Sequence, residues 1–581
     1  MPTVPFREAW CTDFEYQANA GENPRPVCAV IREFYSGREI RLWRDELFAL
    51  RQAPFDITSP DTAMIAYYAS AEIGCFLELG WPLPVNIIDL FAEHRVATNG
   101  KILPCGNSLL GALAVRRLAH IDAGEKGTMR RLVMERQHWS EQEKLDLLSY
   151  CASDVSGLIA LLPVMAPTID WPRALWRGRY MKAAAQMERT GIPIDAPLLN
   201  RLTSEWKGLK QRLITEVDKD FGVFEGSTFK QARFADYLRV NGIPWPRLPS
   251  GALALDGDTF TEMARNHPKL RTLYELRSSL SELRLTNIAA GSDQRARCML
   301  SAFQSKTGRN QPSATKFIFG PARWIRGLIR EQEGRAVAYI DWSAQEIAIA
   351  AGLSGDECLA NDYATGDLYL SFAKAVGLVP GDATKETHGD VREVCKTIQL
   401  GTLFGMGPST VAVRAAVSEC EARDLLRMHR ERYRRFWQWI DDTVTTAMFS
   451  GSISTVFGWR QHLSRNINPR SLLNFPMQAH GAEAMRAAAI AATETGLEVC
   501  CPVHDAFLLS APSDEIDEAV FKMRRIMAKA ARLVTGGIEI RTDAKVVRWP
   551  RRYMDSRGQA MWDTVMRLLN QENGYEAASQ V

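Results

Sequence analysis

Two short apolar runs that each lead into an aspartate constrain the fold of this chain more than any other feature. Residues 336–340 precede Asp341, and residues 497–503 precede His504-Asp505. Runs of this length, bounded by polar residues, read as buried strands, while the long stretch between them reads as helices. A sheet built from both runs must therefore take in a large helical insertion, which is an α+β arrangement. If the two strands pair side by side, both carboxylates arrive at one place. A lone strand-end aspartate is more often a turn or cap residue, so the pair acquires meaning only from its surroundings.

The chemistry open to such a pair is specific. Hard divalent ions such as Mg²⁺ prefer carboxylate oxygens. Phosphoryl transfer to a hydroxyl uses two ions about 3.5–4 Å apart, held by groups on rigid elements. Between the aspartates lies Arg392-Glu-Val-Cys-Lys396-Thr-Ile-Gln-Leu400-Gly401-Thr-Leu-Phe404-Gly405. Arg392, Lys396, Leu400 and Phe404 recur every four residues and form one stripe of a helix. The basic end suits a triphosphate and the apolar end a base; the plainer alternative is a surface helix with a basic stripe. Gly401 speaks against that alternative, since an interior glycine costs about 1 kcal/mol and points to close approach of something flat. Ser343-Ala-Gln-Glu346 has the form of a capping box.

At 581 residues the chain is too long for one core, and two to four domains are expected. A net charge of +3 is weak support for a polyanionic partner, because any basic cleft must be balanced by acids elsewhere. The eleven cysteines show no metal-ligand spacing, so reduced, mostly buried thiols are expected. No secretory leader is evident at the N-terminus, and no apolar run reaches the roughly 18 residues of a membrane span. A soluble, cytoplasmic protein without a membrane partner is expected.

The N-terminal part reads as α/β: a strand leading to Thr12-Asp13-Phe14-Glu15, an extended segment near 27–34, and a helix over 62–79. Asp13 and Glu15, two apart on a strand, share a face. Ser140-Glu-Gln-Glu143 opens a helix that runs to about 164 and carries Tyr150 and Asp154 four apart. Pro163, Pro167 and Pro172 mark a boundary near 165–175. The helix-rich stretch that follows carries Arg271, Arg277 and Arg284 among leucines within 270–285. Solvated amphipathic faces are favoured there over a phosphate-gripping hairpin.

Taken together, these motifs resemble family-A DNA polymerases. Asp341-Trp-Ser-Ala-Gln-Glu346 resembles the first catalytic motif, Val503-His504-Asp505 the other, and Arg392 to Gly405 the fingers-helix motif, all in the family's order. Thr307-Gly308-Arg309 resembles the primer-strand motif. Arg470-Ser-Leu-Leu-Asn474-Phe-Pro-Met-Gln478 resembles a further motif with Arg, Asn and Gln at these spacings. Met187-Glu-Arg-Thr-Gly-Ile-Pro-Ile-Asp195 resembles the start of the polymerase half. Asp13, Glu15, Tyr150 and Asp154 resemble the DEDDy class of 3′→5′ exonucleases. The helix Tyr68-Ala-Ser-Ala-Glu72 offers Glu72 as the middle acid, with Asp89 in reserve.

The resemblance implies an architecture and roles. A ribonuclease H-like exonuclease domain (1–170) precedes a right-hand polymerase: its start and thumb (171–300), first palm part (301–355), fingers (356–450) and second palm part (451–581). No room is then expected for a 5′-nuclease domain. Asp341 and Asp505 would hold two Mg²⁺ ions, and Asp13, Glu15, Glu72 and Asp154 two further divalent ions, with Tyr150 orienting water. Lys396 and Arg392 would bind the phosphates of an incoming dNTP beside Leu400 and Phe404, with Lys396 protonating the leaving pyrophosphate. Glu346 would exclude a ribose 2′-hydroxyl, a gate that single-subunit RNA polymerases lack. Arg309, Arg470, Asn474, Gln478 and His504 would contact primer–template DNA, where acceptors at purine N3 and pyrimidine O2 let one donor test pair geometry. A processivity or replisome partner is left open. The alternative is a 3′→5′ exonuclease whose polymerase half only binds DNA.

Several positions depart from the usual bacterial pattern. Leu400 stands where an aromatic affects dideoxynucleotide acceptance. Phe404 replaces the commoner Tyr and has no phenol hydroxyl for Glu346. Ala344-Gln345 alters the residues beside the gate, and Ala506 replaces a Glu that follows the catalytic Asp in many members. A short chain with these departures looks phage- or prophage-like, which would place it in a host cytoplasm.

Overall fold

The computed structural model describes residues 4–118, 123–248, 250–281, 285–320 and 322–578. Its N-terminal sheet is built from β1 (Glu8–Gln17), β2 (Arg25–Glu33), β3 (Glu39–Trp43), β4 (Thr62–Ala66) and β5 (Ile87–Asp89), in the order β3-β2-β1-β4-β5. β1 runs antiparallel to β2 and parallel to β4, and β4 runs parallel to β5. Alternation along β1 sends Trp10 and Phe14 into one core and Ala9 and Cys11 into another, so the sheet is buried on both faces. The pairing of β1 with β2 slips at Glu15/Tyr16, a bulge of the kind that re-aims side chains.

The helices follow from capping and periodicity. α1 (Ser70–Leu79) ends at Gly80 in the left-handed region, and α2 (Leu90–Thr98) starts from Asp89. α3 (Glu141–Met165) begins with the expected capping box of Ser140 and Glu143 and lays Leu147, Cys151, Val155 and Leu158 against β1 and β2. Together with the turn after it, α3 is apolar and long enough to span a membrane by length and composition, yet 56% of that apolar window is buried within the protein. The helix expected over 62–79 is instead a strand, β4, followed by α1. Five consecutive buried residues (Thr62 to Ala66) pair with both neighbouring strands.

α4 (Trp171–Thr190) joins the two halves by packing on α1 and β5 on one side and on the C-terminal part on the other. Gly178 permits this approach, because a Cβ there would lie 2.0 Å from the Ile87 carbonyl oxygen. Arg177 of α4 forms a buried two-pronged pair with Glu93 of α2 at 2.6 and 2.7 Å. The expected boundary near 165–175 is a short 3₁₀ turn, Ala166–Thr168, but one buried cluster continues across it from Trp10 to Leu569.

The C-terminal sheet consists of β6 (Arg335–Trp342), β7 (Val499–Val503), β8 (Ala506–Pro512) and β9 (Thr542–Arg548), all antiparallel, in the order β7-β8-β6-β9. Between β6 and β7 lie α5 (Gln345–Ser354), α6 (Gly389–Leu403) and α7 (Phe475–Glu494), and α8 (Ile516–Thr535) connects β8 to β9. The α+β expectation holds here, with one correction. The runs before Asp341 and Asp505 are not adjacent: β8 lies between them, because a tight His504-Asp505 turn folds β7 back into a hairpin. Arg277 sits over the Phe229 and Phe260 rings at 4.2 Å each, a packing role rather than a phosphate grip. Arg284 lies outside the described residues.

Candidate functional site

Asp341 lies near the end of β6, opposite Ala506 of β8 on one side and Asp543 of β9 on the other. Asp505 occupies the β7–β8 turn, and its carbonyl accepts the Trp342 N–H at 3.0 Å, which draws the two aspartates together. His504 reaches this turn with φ +55°. Burial, followed by the Asp505 and Asp543 carboxylates, pushes the Asp341 carboxyl up to about 6. Burial also raises Asp505; Arg309 opposes the rise and Glu346 adds to it. Mutual repulsion among half-buried acids is the electrostatic signature of a place that gains from a cation.

Glu346 does not form the capping box. Ala344, at φ +52°, is the N-cap of α5 and makes no side-chain cap. The Ser343 hydroxyl instead donates to Asp543 Oδ2 at 2.6 Å. The freed Glu346 accepts from Arg309 Nη2 at 3.2 Å. Gly481 of α7 leaves room for this arrangement, since a Cβ there would lie 2.7 Å from Gln345 Oε1 and 3.7 Å from Arg309 Nη2. Arg309 and His504 also line a cavity of about 400 Å³ with Tyr180, Phe317, Arg326 and Arg486.

On α6, Arg392 and Lys396 already hold acids. Arg392 Nε donates to Asp367 at 2.6 Å and Nη1 to Glu393 at 2.9 Å, and Lys396 Nζ donates to Glu393 at 3.1 Å. Leu400 is half-buried, and Phe404, 48% exposed, lies just past the last turn. At Gly401 the atom nearest a Cβ would be Met406 Sδ at 3.1 Å, in the chain's own turn. Gly405, at φ +66°, approaches Leu473 Cδ1 and the Arg470 carbonyl, which docks the end of α6 onto the Arg470–Asn474 segment. Arg470 is exposed in a 3₁₀ turn, Asn474 is the N-cap of α7 with its Oδ1 buried and unpartnered, and Gln478 lies in the first turns of α7.

A second acidic site sits on the N-terminal sheet. Ligand oxygens of Asp13, Glu15 and Asp154 lie within 4.8 Å of one another, the one such group of three among the described residues. The carboxylates around Asp341 do not gather this tightly. Cys151 Sγ donates to Asp13 Oδ2 at 3.2 Å, and Tyr150 is buried one helical turn before Asp154. Burial, followed by Asp13 and Glu15, raises Glu72 well above the ordinary carboxylate range. Its Oε2 is buried without a partner, and the charges of Asp13, Glu15 and Asp154 act on it, so Glu72 lies near the cluster although outside the group of three. Asp89 is turned elsewhere: it accepts backbone N–H groups from Tyr68 and Phe91 at 2.9 Å and from Ala69 at 3.3 Å. This carboxylate is spent on closing the β4–α1 turn and capping α2.

Sequence reasoning missed Asp543. The signal for it was faint: a single acid at the start of the short Thr542–Arg548 strand, recognisable only once β9 is known to flank Asp341.

Comparison with known proteins agrees with this geometry. The family model for DNA polymerase family A matches residues 249–548. The thermostable DNA polymerase I of Thermus thermophilus is 24% identical over 378 residues, covering 60% of this chain and 45% of that protein. The chain thus spans less than half the length of this bacterial relative. The DNA polymerase of Mycobacterium phage D29 is 22% identical, covering 72% of each chain. A solved structure, the polymerase domain of Pol1 from M. smegmatis in complex with DNA primer–template and dNTP, superposes with a TM-score of 0.67 at 20% identity. That match covers 93% of this chain and 95% of the other. It shows that the fold is that of a family-A polymerase domain.

Proposed function

Because the chain belongs to DNA polymerase family A, we propose that it extends primer 3′ ends with dNTPs on a DNA template and removes mispaired ends at the N-terminal acidic site. The observation that carries the first activity is the convergence of Asp341, Asp505, Glu346 and Arg309 at one end of the C-terminal sheet. Both donor sets fit divalent ions, the palm through its mutually repelling aspartates and the N-terminal cluster through the orphaned Glu72 Oε2. Such ions, when bound, activate an attacking hydroxyl or water and neutralise phosphate charge. The protein's own groups do the rest. Arg392 and Lys396 take the triphosphate in exchange for Asp367 and Glu393, and Lys396 supplies a proton to the departing pyrophosphate. Glu346 excludes a 2′-hydroxyl, while Arg309 and His504 hold the primer end. Arg470, Asn474 and Gln478 contact the primer–template duplex.

The 3-2-1-4-5 sheet order, with an acidic pair on its central strand and Tyr150 and Asp154 on the covering helix, supports a ribonuclease H-like proofreading domain. The phage-type reading draws on the balanced coverage shared with the phage D29 enzyme.

Primer extension with Mg²⁺ and dNTPs tests both activities. Asp505→Ala should abolish extension while leaving degradation of the primer 3′ end, and Asp13→Ala should do the reverse. Retained extension by Asp505→Ala, or retained degradation by Asp13→Ala, would overturn the corresponding assignment.

A further inference from the structure

The geometry points to Arg309 as the positioning residue of the sugar gate, holding the Glu346 carboxylate in place of the phenol hydroxyl that Phe404 lacks. This inference rests on the polymerase reading above and deepens it. A gate that rejects a single hydroxyl needs a carboxylate fixed in direction, because a free glutamate turns about three bonds and yields to an intruding group. A capping box could have fixed it, as could a phenol hydroxyl at position 404 by resemblance to the family; neither is present. Ala344, not Ser343, caps the helix, and the Ser343 hydroxyl is taken by Asp543. At position 404 there is a phenylalanine, exposed beyond the end of α6. The carboxylate is instead paired with Arg309 at 3.2 Å, both side chains being 21–27% exposed. A pair shielded to this degree is screened less than one in open solvent.

Arginine suits the position because its guanidinium carries five N–H donors in a rigid fork. One nitrogen holds Glu346, and the residue also lines the cavity that it shares with His504. The same side chain acts electrostatically on both His504 and Asp505. Arg309 therefore stands between the primer end, a catalytic carboxylate and the gate. Ribose rejection and primer contact are served by one residue, and a lysine, with a single point charge, cannot hold both partners in fixed directions.

The test is the ratio of kcat/KM for a dNTP to that for the matching NTP in single-nucleotide primer extension. Arg309→Lys should lower this ratio by about tenfold or more. Glu346→Ala should lower it as far, and the double variant should fall no further than Glu346→Ala alone. A merely structural role for Arg309 would depress both substrates together and leave the ratio unmoved. By the same resemblance, Phe404→Tyr supplies an independent donor to Glu346. In the unaltered chain it should change the ratio by less than about threefold, because the gate is already held, and in Arg309→Lys it should restore much of the loss. An unmoved ratio in Arg309→Lys overturns the inference, as do additive losses in the double variant. A tenfold gain from Phe404→Tyr alone overturns it too, and decides the matter even if Arg309→Lys extends nothing. Failure of the unaltered chain to incorporate dNTPs would overturn the polymerase reading, and the inference with it.

Discussion

Replacing Asp341 by Asn should make the metal-free protein more stable while abolishing primer extension. The carboxyl is held at about 6, against 3.8 for an ordinary aspartate, by burial and by Asp505 and Asp543. The folded chain therefore keeps this proton to higher pH than the unfolded chain does. The stability linked to it is fully present below about pH 3.8 and is lost as pH climbs through 6. At 1.36 kcal/mol per pKa unit the ionised carboxylate costs at most about 3 kcal/mol. Asp341 is only half-buried, so water screening brings this to roughly 1–2 kcal/mol. Asn keeps the shape of the side chain and removes the charge. Thermal unfolding in EDTA at pH 7.5 should show the variant melting higher by about 1–2 °C, and the difference should shrink toward zero as pH is lowered to 4. Added Mg²⁺ should raise the parent's melting temperature more than the variant's. A variant melting at or below the parent at pH 7.5, or a gain independent of pH, would refute the reasoning.

Two further outcomes follow from α6. Glu393 is 59% exposed yet occupies both Arg392 and Lys396, so under the proposed function an incoming triphosphate displaces it. Glu393→Gln should lower the KM for dNTPs by about two- to fivefold, the scale of exposed ion pairs, and steady-state extension that finds KM unchanged would count against this. If Leu400 stands where the family resemblance puts it, the parent should discriminate against dideoxynucleotides and Leu400→Tyr should incorporate them far more readily; equal dideoxy-to-deoxy incorporation ratios in the two proteins would dismiss Leu400 as the cause.

How much of this could be foreseen differs by element, for physical reasons. The helices were readable where a local device closes them, as with the Ser140–Glu143 box, which forms as expected. The Ser343–Glu346 box has the same local pattern and does not form. There a tertiary partner takes each member: Asp543, 200 residues away, holds Ser343, and Arg309, 37 residues away, holds Glu346. The strand at Thr62–Ala66 reads as helix in the sequence because five buried residues show no period that separates strand from helix. Spacing in the sequence favours Glu72 over Asp89 without giving a physical reason, since both are buried acids. What separates them is the set of backbone N–H groups that reaches each one.

The clearest limit is the row of residues across the C-terminal sheet. Read along the chain, Ala506 is a missing acid beside Asp505, and the centre looks reduced to two carboxylates. Read across the sheet, Asp341 has two flanks: Ala506 faces it from β8 and Asp543 from β9. Directly opposed residues in an antiparallel pair share a face and lie about 4.5–5.5 Å apart at Cα. Charge removed on one flank is therefore present on the other, and Asp543 already adds to the raised Asp341 carboxyl. Adjacency in sequence displays only one of the two flanks. The other depends on the crossover through α8, which no local pattern encodes, and so the charge balance of this centre becomes visible only when the strand order is known.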